Sequence, residues 1–411
     1  MKRLSGLVFF LHFMILAESQ SNKLDYYLDH ALLNSPLLKD YRDQQEWNQL
    51  DSLRILATYK PQVTGSSFNS YAPVIKGIGY DKAITNGANF TALIGVNKLL
   101  VNKKNIAAQF DNLQLQNQAL RNTSSISEQE LKRTVTAQYI TAYGDLQQLN
   151  FNNEVNSLLA KEEAILKKLT ESNVYKQVDY LSFLVTLQQQ NLLVKQLTIQ
   201  FRNDYATLNY LCGITDTTNV ILQDPEVKLT QLPDITRSVF FKQFEIDSLK
   251  LSNSKTLAGL NYLPRFNLFA DAGFNSSLAV TPYKNFGTSF GISALVPIYD
   301  GKQKKLQYSK IGLAERTRLN YKSFFTSQYS QQVAQLRQQL QATDELISDI
   351  NSQLKYSQSL IDVNGKLLET GELRIADYIL ALGSYLNAKN LATQNKIARL
   401  QIINQINYWN R

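Results

Sequence analysis

The sequence holds one cysteine, Cys212, and two histidines, His12 and His30. A single thiol cannot form an internal disulfide, so no covalent staple holds the fold. Cys212 also lies far from any N-terminal lipidation position, which argues against a lipoprotein. With so few Cys and His there is no metal-ligand spacing, and neither a phosphate-cradling glycine loop nor a nucleophile elbow is visible. No catalytic residue, metal site or cofactor is assigned, and the chain is not read as an enzyme. Paired carboxylates such as Glu162 and Glu163 lie in a lysine-rich stretch and are read as surface charge.

Charge of one sign is not concentrated either. The 43 Lys and Arg against 34 Asp and Glu give a net of +9, but they are scattered. The aromatic-basic interleaving of a nucleic-acid groove is missing, so nucleic acid is not an expected partner. Long apolar runs are absent with one exception. Lys2 and Arg3 precede an apolar run from Leu4 to Leu16, followed by Ala17-Glu18-Ser19. That run is too short to span a bilayer comfortably and reads as a secretory signal peptide, residues 1–19, of an exported bacterial protein.

What the chain does have is texture that changes in a fixed order, twice. After the signal comes a helical pattern broken at Pro36, then a Gly/Ser/Thr/Asn/Phe/Tyr-rich stretch from Pro61 to about Leu100. From Lys103 to Cys212 the chain is rich in Leu, Gln, Lys, Glu and Asn, with almost no Gly or Pro. A linker at 213–236 follows, and the series repeats as a helical piece (237–260), a Gly/Ser/Phe-rich piece (264–300) and a Leu/Gln-rich piece (301–411). "YKPQV" and "YLPRF" enter the two Gly/Ser regions; "LLVNKKN" and "IYDGKQK" leave them. The expected organisation is an internal duplication, 20–212 and 237–411, each a helix, two strands and a long helical hairpin. "SNVYKQVDYLS" and "TGELRIADYIL" align at an offset of 198, placing Asp377 on Asp179 where each hairpin restarts.

The Gly/Ser pieces alternate with period two. Phe266, Leu268, Ala270, Ala272 and Phe274 oppose Arg265, Asn267, Phe269, Asp271 and Gly273. Phe286, Thr288, Phe290, Ile292, Ala294, Val296 and Ile298 oppose Gly287, Ser289, Gly291 and Ser293, and Phe90, Ala92, Ile94 and Val96 oppose Asn89, Thr91, Gly95 and Asn97. The strand after Pro61 alternates poorly. One apolar and one polar face suits a lipid-facing barrel strand, and equally a soluble sheet packed on helices. The helical pieces instead carry coiled-coil spacing: Leu336, Leu340, Thr343, Ile347, Ile350, Leu354, Ser357, Ile361, Asn364 and Leu368 step by four and three. Leu131, Val135, Gln138, Ala142, Leu146 and Leu149 do the same, continued by Val155, Leu158, Glu162, Ile165 and Leu169. A helix from Gly301 to Leu368 runs ~100 Å at 1.5 Å per residue, with a return helix over about 375–409, so an elongated rod is expected. Four strands cannot enclose an interior, about eight being the practical minimum, so strands placed in lipid require several chains to pool them.

In this layout the chain resembles the TolC-like outer-membrane efflux protein family over essentially its whole mature length. "ALLNSPLL", "YLPRFNLFADAGF", "LVPIYDGKQKK" and "LLETGELRIADYILALGSYLNAKN" carry the resemblance. It implies a mainly α fold with β: antiparallel coiled-coil hairpins, plus four strands per chain in a trimeric twelve-stranded outer-membrane barrel continuous with a periplasmic helical tunnel. It also implies a homotrimer that works with a periplasmic adaptor and an inner-membrane pump in efflux or type I secretion, moving cargo without chemistry. An exported structural or adhesive coiled-coil protein is the competing expectation.

Within the resemblance the two echoing segments are periplasmic hairpin tips, and a carboxylate at Asp377 belongs to the constriction closing the tunnel. Asp179, Arg374 and Gly371 join it as tip residues. A second family carboxylate is Leu380 here, and an arginine two places after the glycine is Leu373, with Arg374 displaced by one. Capping and the helix dipole account for Asp377 as well as gating does and for Asp179 better, and Gly371 supplies a turn any hairpin needs. Lys103, Lys104, Lys302, Lys304 and Lys305 each begin a long helix, where positive charge opposes the dipole. They are read either as facing anionic lipid of the outer membrane or as solvated. Tyr71, Tyr80, Phe90, Tyr283, Phe286 and Tyr299 are candidate interfacial aromatics.

Overall fold

A computed structural model describes residues 23–80, 87–215, 221–230, 238–278 and 281–410. The expected signal peptide, 1–19, and parts of the 213–236 linker lie outside the described residues. Helix α1 (Leu24–Asn34) stops one residue before Pro36, which opens α2 (Pro36–Thr58). Proline is tolerated at a first helical position because its missing N–H has no acceptor to lose there. Strands β1 (Gln62–Tyr71) and β2 (Ala88–Leu100) follow, then α3 (Lys103–Glu171) and α4 (Gln177–Cys212). The second series is α5 (Val239–Leu260), β3 (Arg265–Ser276), β4 (Phe286–Leu295), α6 (Gln303–Glu369) and α7 (Ile375–Trp409). The order helix, strand, strand, long helix, helix therefore occurs twice. Among the described residues no helix is long and apolar enough to cross a membrane.

The strands form one antiparallel sheet in the order β1-β2-β3-β4. Its register decides what the alternation means. Phe274 pairs Phe286, Ala270 pairs Phe290 and Leu268 pairs Ile292 across β3 and β4. Across β2 and β3, Ile94 pairs Ala272, Val96 pairs Ala270 and Leu100 pairs Phe266. Directly paired residues share a face, so three strands build one largely apolar face, on which Lys98 is paired with Leu268. β1 adds Val63, Gly65, Ser67, Asn69 and Tyr71 to it, the poor alternation expected of that strand. The opposite face is mostly polar, with Ser289 Oγ donating to Asp271 Oδ2 at 2.7 Å, although Phe68, Leu93, Phe269 and Leu295 also lie on it. β4 ends at Leu295, short of the run to Ile298 that alternation suggests, because Pro297 cannot extend a ladder.

The chain divides into two compact units. One comprises described residues of 1–35, 128–232 and 332–411; the other comprises 36–127 and 233–331. Each takes segments from both halves of the sequence. In the first, Tyr27, Val135, Tyr139, Phe201, Tyr205 and Leu208 form one buried cluster, and Leu159, Leu166, Phe183, Leu368, Tyr378 and Leu382 another. Gly144 lets α7 approach α3, since a Cβ there would sit 2.8 Å from Ile397 Cγ1. In the second unit the helices meet through Phe241, whose ring lies 5.2 Å from Phe325 and 5.6 Å from Tyr329. Asn253 Nδ2 donates to Ala108 O at 3.0 Å there, giving a buried amide its acceptor.

The α6 seam expected from spacing is the packed one: Leu336, Leu340, Ile350, Ser357, Ile361 and Leu368 are buried, and its other members are half-buried. On α3 the seam needs correction. Leu158 is 36 % exposed whereas Leu159 is fully buried, and Leu166 replaces Ile165 in the same way. Consecutive apolar pairs offer two stripes one residue apart, and the cluster containing Phe183 and Tyr378 takes the second. Glu162 is also not surface charge. It is 4 % exposed, because the seam that includes Leu159 and Leu166 passes through it.

Candidate functional site

Five-residue breaks separate α3 from α4 and α6 from α7. Their backbones repeat at the same offset as their sequences. Val174 N donates to Leu169 O and Glu372 N to Leu367 O, each at 2.9 Å. Asp179 N donates to Lys176 O and Asp377 N to Arg374 O, each at 3.0 Å. The left-handed residues also correspond, Asn173 at φ 60° and Gly371 at φ 79°. Glycine and asparagine tolerate that region at least cost, and here it terminates the helix.

The residues preceding the restarts, Lys176 and Arg374, are extended and make no side-chain cap. Asp179 and Asp377 both lie in the first turn, where the dipole favours a carboxylate. Their partners differ. Arg374 grips Asp377 with two parallel bonds, Nε to Oδ2 at 2.8 Å and Nη2 to Oδ1 at 2.9 Å. Asp179 forms no ion pair among the described residues. The displaced arginine therefore still meets a carboxylate, one turn along its own helix.

The two tips hold each other. The Tyr175 hydroxyl lies 2.8 Å from Leu373 O and 3.1 Å from Leu368 O, so one phenol bridges two carbonyls of the other hairpin. A Cβ on Gly371 would come within 2.7 Å of Val174 Cγ1. Gly371 thus answers two demands, a left-handed backbone and a close neighbour. Beneath the tips, Ile375, Tyr378, Leu368 and Phe183 are buried. The Tyr180 hydroxyl donates to Glu163 Oε1 at 2.5 Å, a bond that pushes the phenol up to about 12. Tyr175 carries no motif that marks it; its acceptors are main-chain carbonyls, which a sequence does not display.

The five lysines lie at the starts of α3 and α6, and each start has its own offset to the opposing dipole. Asn102 Oδ1 accepts from Lys104 N at 2.9 Å. Asp300 accepts from Lys302 N at 2.9 Å and from Lys304 N at 2.8 Å. A carboxylate at that position opposes the unfavourable lysine charge. Lys304 Nζ also sits 5.7 Å from the Tyr262 ring centroid and 5.9 Å from that of Tyr308. Lys302, Lys304 and Lys305 line an open cleft with Tyr262, Tyr308 and Ile298. Five of the six candidate interfacial aromatics are well exposed, Phe90 being half-buried.

No family model matches the chain, and no curated protein matches its sequence. Solved structures do match it. CusC, whose structures concern folding and transmembrane channel formation, aligns at a TM-score of 0.75 and 14% identity, covering 94% of this chain and 92% of its own. The outer membrane protein VceC of Vibrio cholerae aligns at 0.73 and 12% identity, over 94% of this chain and 96% of its own. The outer membrane channel CmeC of Campylobacter jejuni aligns at 0.72 and 15% identity, over 95% and 86% respectively. The chain has the fold of these three proteins.

Proposed function

We propose that the chain is one subunit of an outer-membrane exit duct, three copies of which pool twelve strands into a barrel continuous with a periplasmic helical tunnel. The observation that carries this reading is the sheet. Its apolar face is left open to solvent, with Phe290 88 % exposed and Ile94 64 % exposed. Its outer strands, β1 and β4, each pair on one side only. Open edges are untenable in lipid, where each unpaired backbone group costs several kcal/mol, unless further strands complete the sheet. Identical copies supply them. The likeness to CusC, VceC and CmeC supports both the location and the passive transport role.

The rest of the reading follows from that assignment. The signal peptide, 1–19, exports the chain, and the duplicated halves, 20–212 and 237–411, contribute equivalent strand pairs and hairpins. Asp377, with Arg374, Gly371 and Asp179, sits where the tunnel narrows at its periplasmic end, and an adaptor and inner-membrane pump engage that end. Lys103, Lys104, Lys302, Lys304 and Lys305 face anionic headgroups of the inner leaflet. No covalent step is required of the protein. An adhesive coiled coil leaves the open apolar sheet unexplained. The test is fractionation followed by reconstitution. The duct reading expects outer-membrane material that resists dissociation in unheated gel samples and conducts ions in planar bilayers. A soluble periplasmic subunit without conductance would overturn it.

A further inference from the structure

A cavity of about 280 Å³ lies between α3, α6 and α7. Phe151, Tyr378 and Tyr385 supply its aromatic lining, Phe151 and Tyr385 meeting edge to face at 5.7 Å. Glu154 and Glu162 enter it from α3, Asp362 and Glu369 from α6, and Lys366 is the one cation among its lining residues. A concentration of carboxylates in a chain of net charge +9 runs against the overall composition.

Glu162 distinguishes this cavity from an acidic surface. It is 4 % exposed, and its Oε2 has no hydrogen-bond partner among the described residues. No lysine or arginine forms an ion pair with any of the four carboxylates among the described residues. Burial first, and Glu369 second, hold the Glu162 carboxyl above its ordinary range, against the smaller opposing pull of Lys161. A buried carboxylate without a partner is costly, and a bound cation relieves that cost. The carboxylates do not converge as metal ligands do: among the described residues no three Asp, Glu, His or Cys side chains could hold a metal ion. Spread carboxylates beside aromatic faces instead suit a cation with an apolar body. The chain already places one cation against this lining, Lys389 Nζ lying 5.6 Å from the Phe151 ring centroid.

We propose that this cavity binds an organic cation, an ammonium, amidinium or guanidinium group on an apolar body, with Glu162 as its buried acceptor and Tyr378 and Tyr385 beside it. The site lies within one chain and does not depend on the duct reading.

Calorimetric titration of the full-length detergent-purified protein with benzamidinium, and with neutral benzamide of nearly the same shape, tests it. Benzamidinium is expected to bind at least about tenfold more tightly than benzamide. Glu162→Gln should reduce benzamidinium affinity by about tenfold or more while leaving thermal stability unchanged or higher. Equal binding of the two probes, or wild-type affinity in Glu162→Gln, would overturn the proposal. Should that variant fail to fold, Glu369→Gln at the exposed end decides: severalfold weaker binding supports the site, and unchanged binding contradicts it. Acetyl-arginine amide separates the sources of the cation. If it binds at least as well as benzamidinium, the group belongs to a partner's side chain; if only benzamidinium binds, a free aromatic cation is the ligand.

Discussion

Asp145 on α3 is buried, and only half of its carboxylate is satisfied. Oδ1 accepts from Gln200 Nε2 at 2.9 Å, while Oδ2 has no hydrogen-bond donor among the described residues. Nearby, Gln138 Nε2 donates to Asp204 O at 2.9 Å and Oδ1 at 3.2 Å. Burial above all, and then the carboxylate of Asp204, push Asp145 from 3.8 up to about 7. The folded state therefore holds this proton more tightly than the unfolded chain does. The contribution of Asp145 to stability is therefore greatest below about pH 4, falls as pH rises towards 7, and is level above that. Asp145→Asn keeps the bond from Gln200 and removes the titration. Its stabilising effect should be larger at pH 8 than at pH 5 by on the order of 2 kcal/mol, read from denaturant unfolding at the two pH values. An equal effect at both would show that Asp145 does not titrate in this range. Asp377 is ion-paired with Arg374, which is itself mostly exposed. Asp377→Asn should raise passive single-channel conductance and antibiotic sensitivity with little change in melting temperature. Unchanged conductance would reduce the aspartate to its dipole role. Asp377 could be marked from sequence because it recurs at a fixed offset; Asp145 could not, since a lone aspartate in a helix shows neither its burial nor its neighbour.

The hairpin tip is a paired element, and its stability depends on contacts between the two turns. Tyr175→Phe removes the phenol that reaches Leu368 O and Leu373 O, a loss of about 1 kcal/mol. Gly371→Ala places a Cβ against Val174 on a left-handed backbone, a loss of about 1–2 kcal/mol. Both should speed amide exchange over 367–378 and leave the sheet unaffected. Exchange unchanged at the tips in both variants would mean that the turns do not support one another. Much of this level was readable in advance. The α6 seam and both hairpin restarts follow from apolar spacing, and the break at Pro36 follows from its ring. The phase of the α3 seam did not, because Leu158-Leu159 and Ile165-Leu166 each allow two choices until a partner helix selects one. Glu162 stood on the expected seam in either phase, but its charge made it read as a surface residue. Asn173 is the turn's less conspicuous member, matching Gly371 in backbone but not in residue type.

At the scale of the whole molecule, strand count and open edges point to assembly. The strands and their alternation were legible in the sequence, but pairing register and the exposure of the apolar face were not, because both depend on which strands meet. The native thiol does not interfere with a cross-linking test: Cys212 is buried, and burial pushes it up to about 12. Neutralising Lys103, Lys104, Lys302, Lys304 and Lys305 should weaken association with anionic vesicles relative to zwitterionic ones, and equal retention would leave them as solvated first-turn residues. In the proposed trimer β1 of one copy joins β4 of the next. Within one chain these strands stand three places apart in the sheet, roughly 14 Å, too far for a disulfide. Ser66→Cys combined in turn with Ser289→Cys, Gly291→Cys or Ser293→Cys places thiols on the same sheet face at the two edges. Mild oxidation in native membranes should give a covalent ladder ending at three chains for at least one pair, lost on reduction. Monomer alone from every pair, with both thiols modifiable by reagent, would contradict the shared barrel.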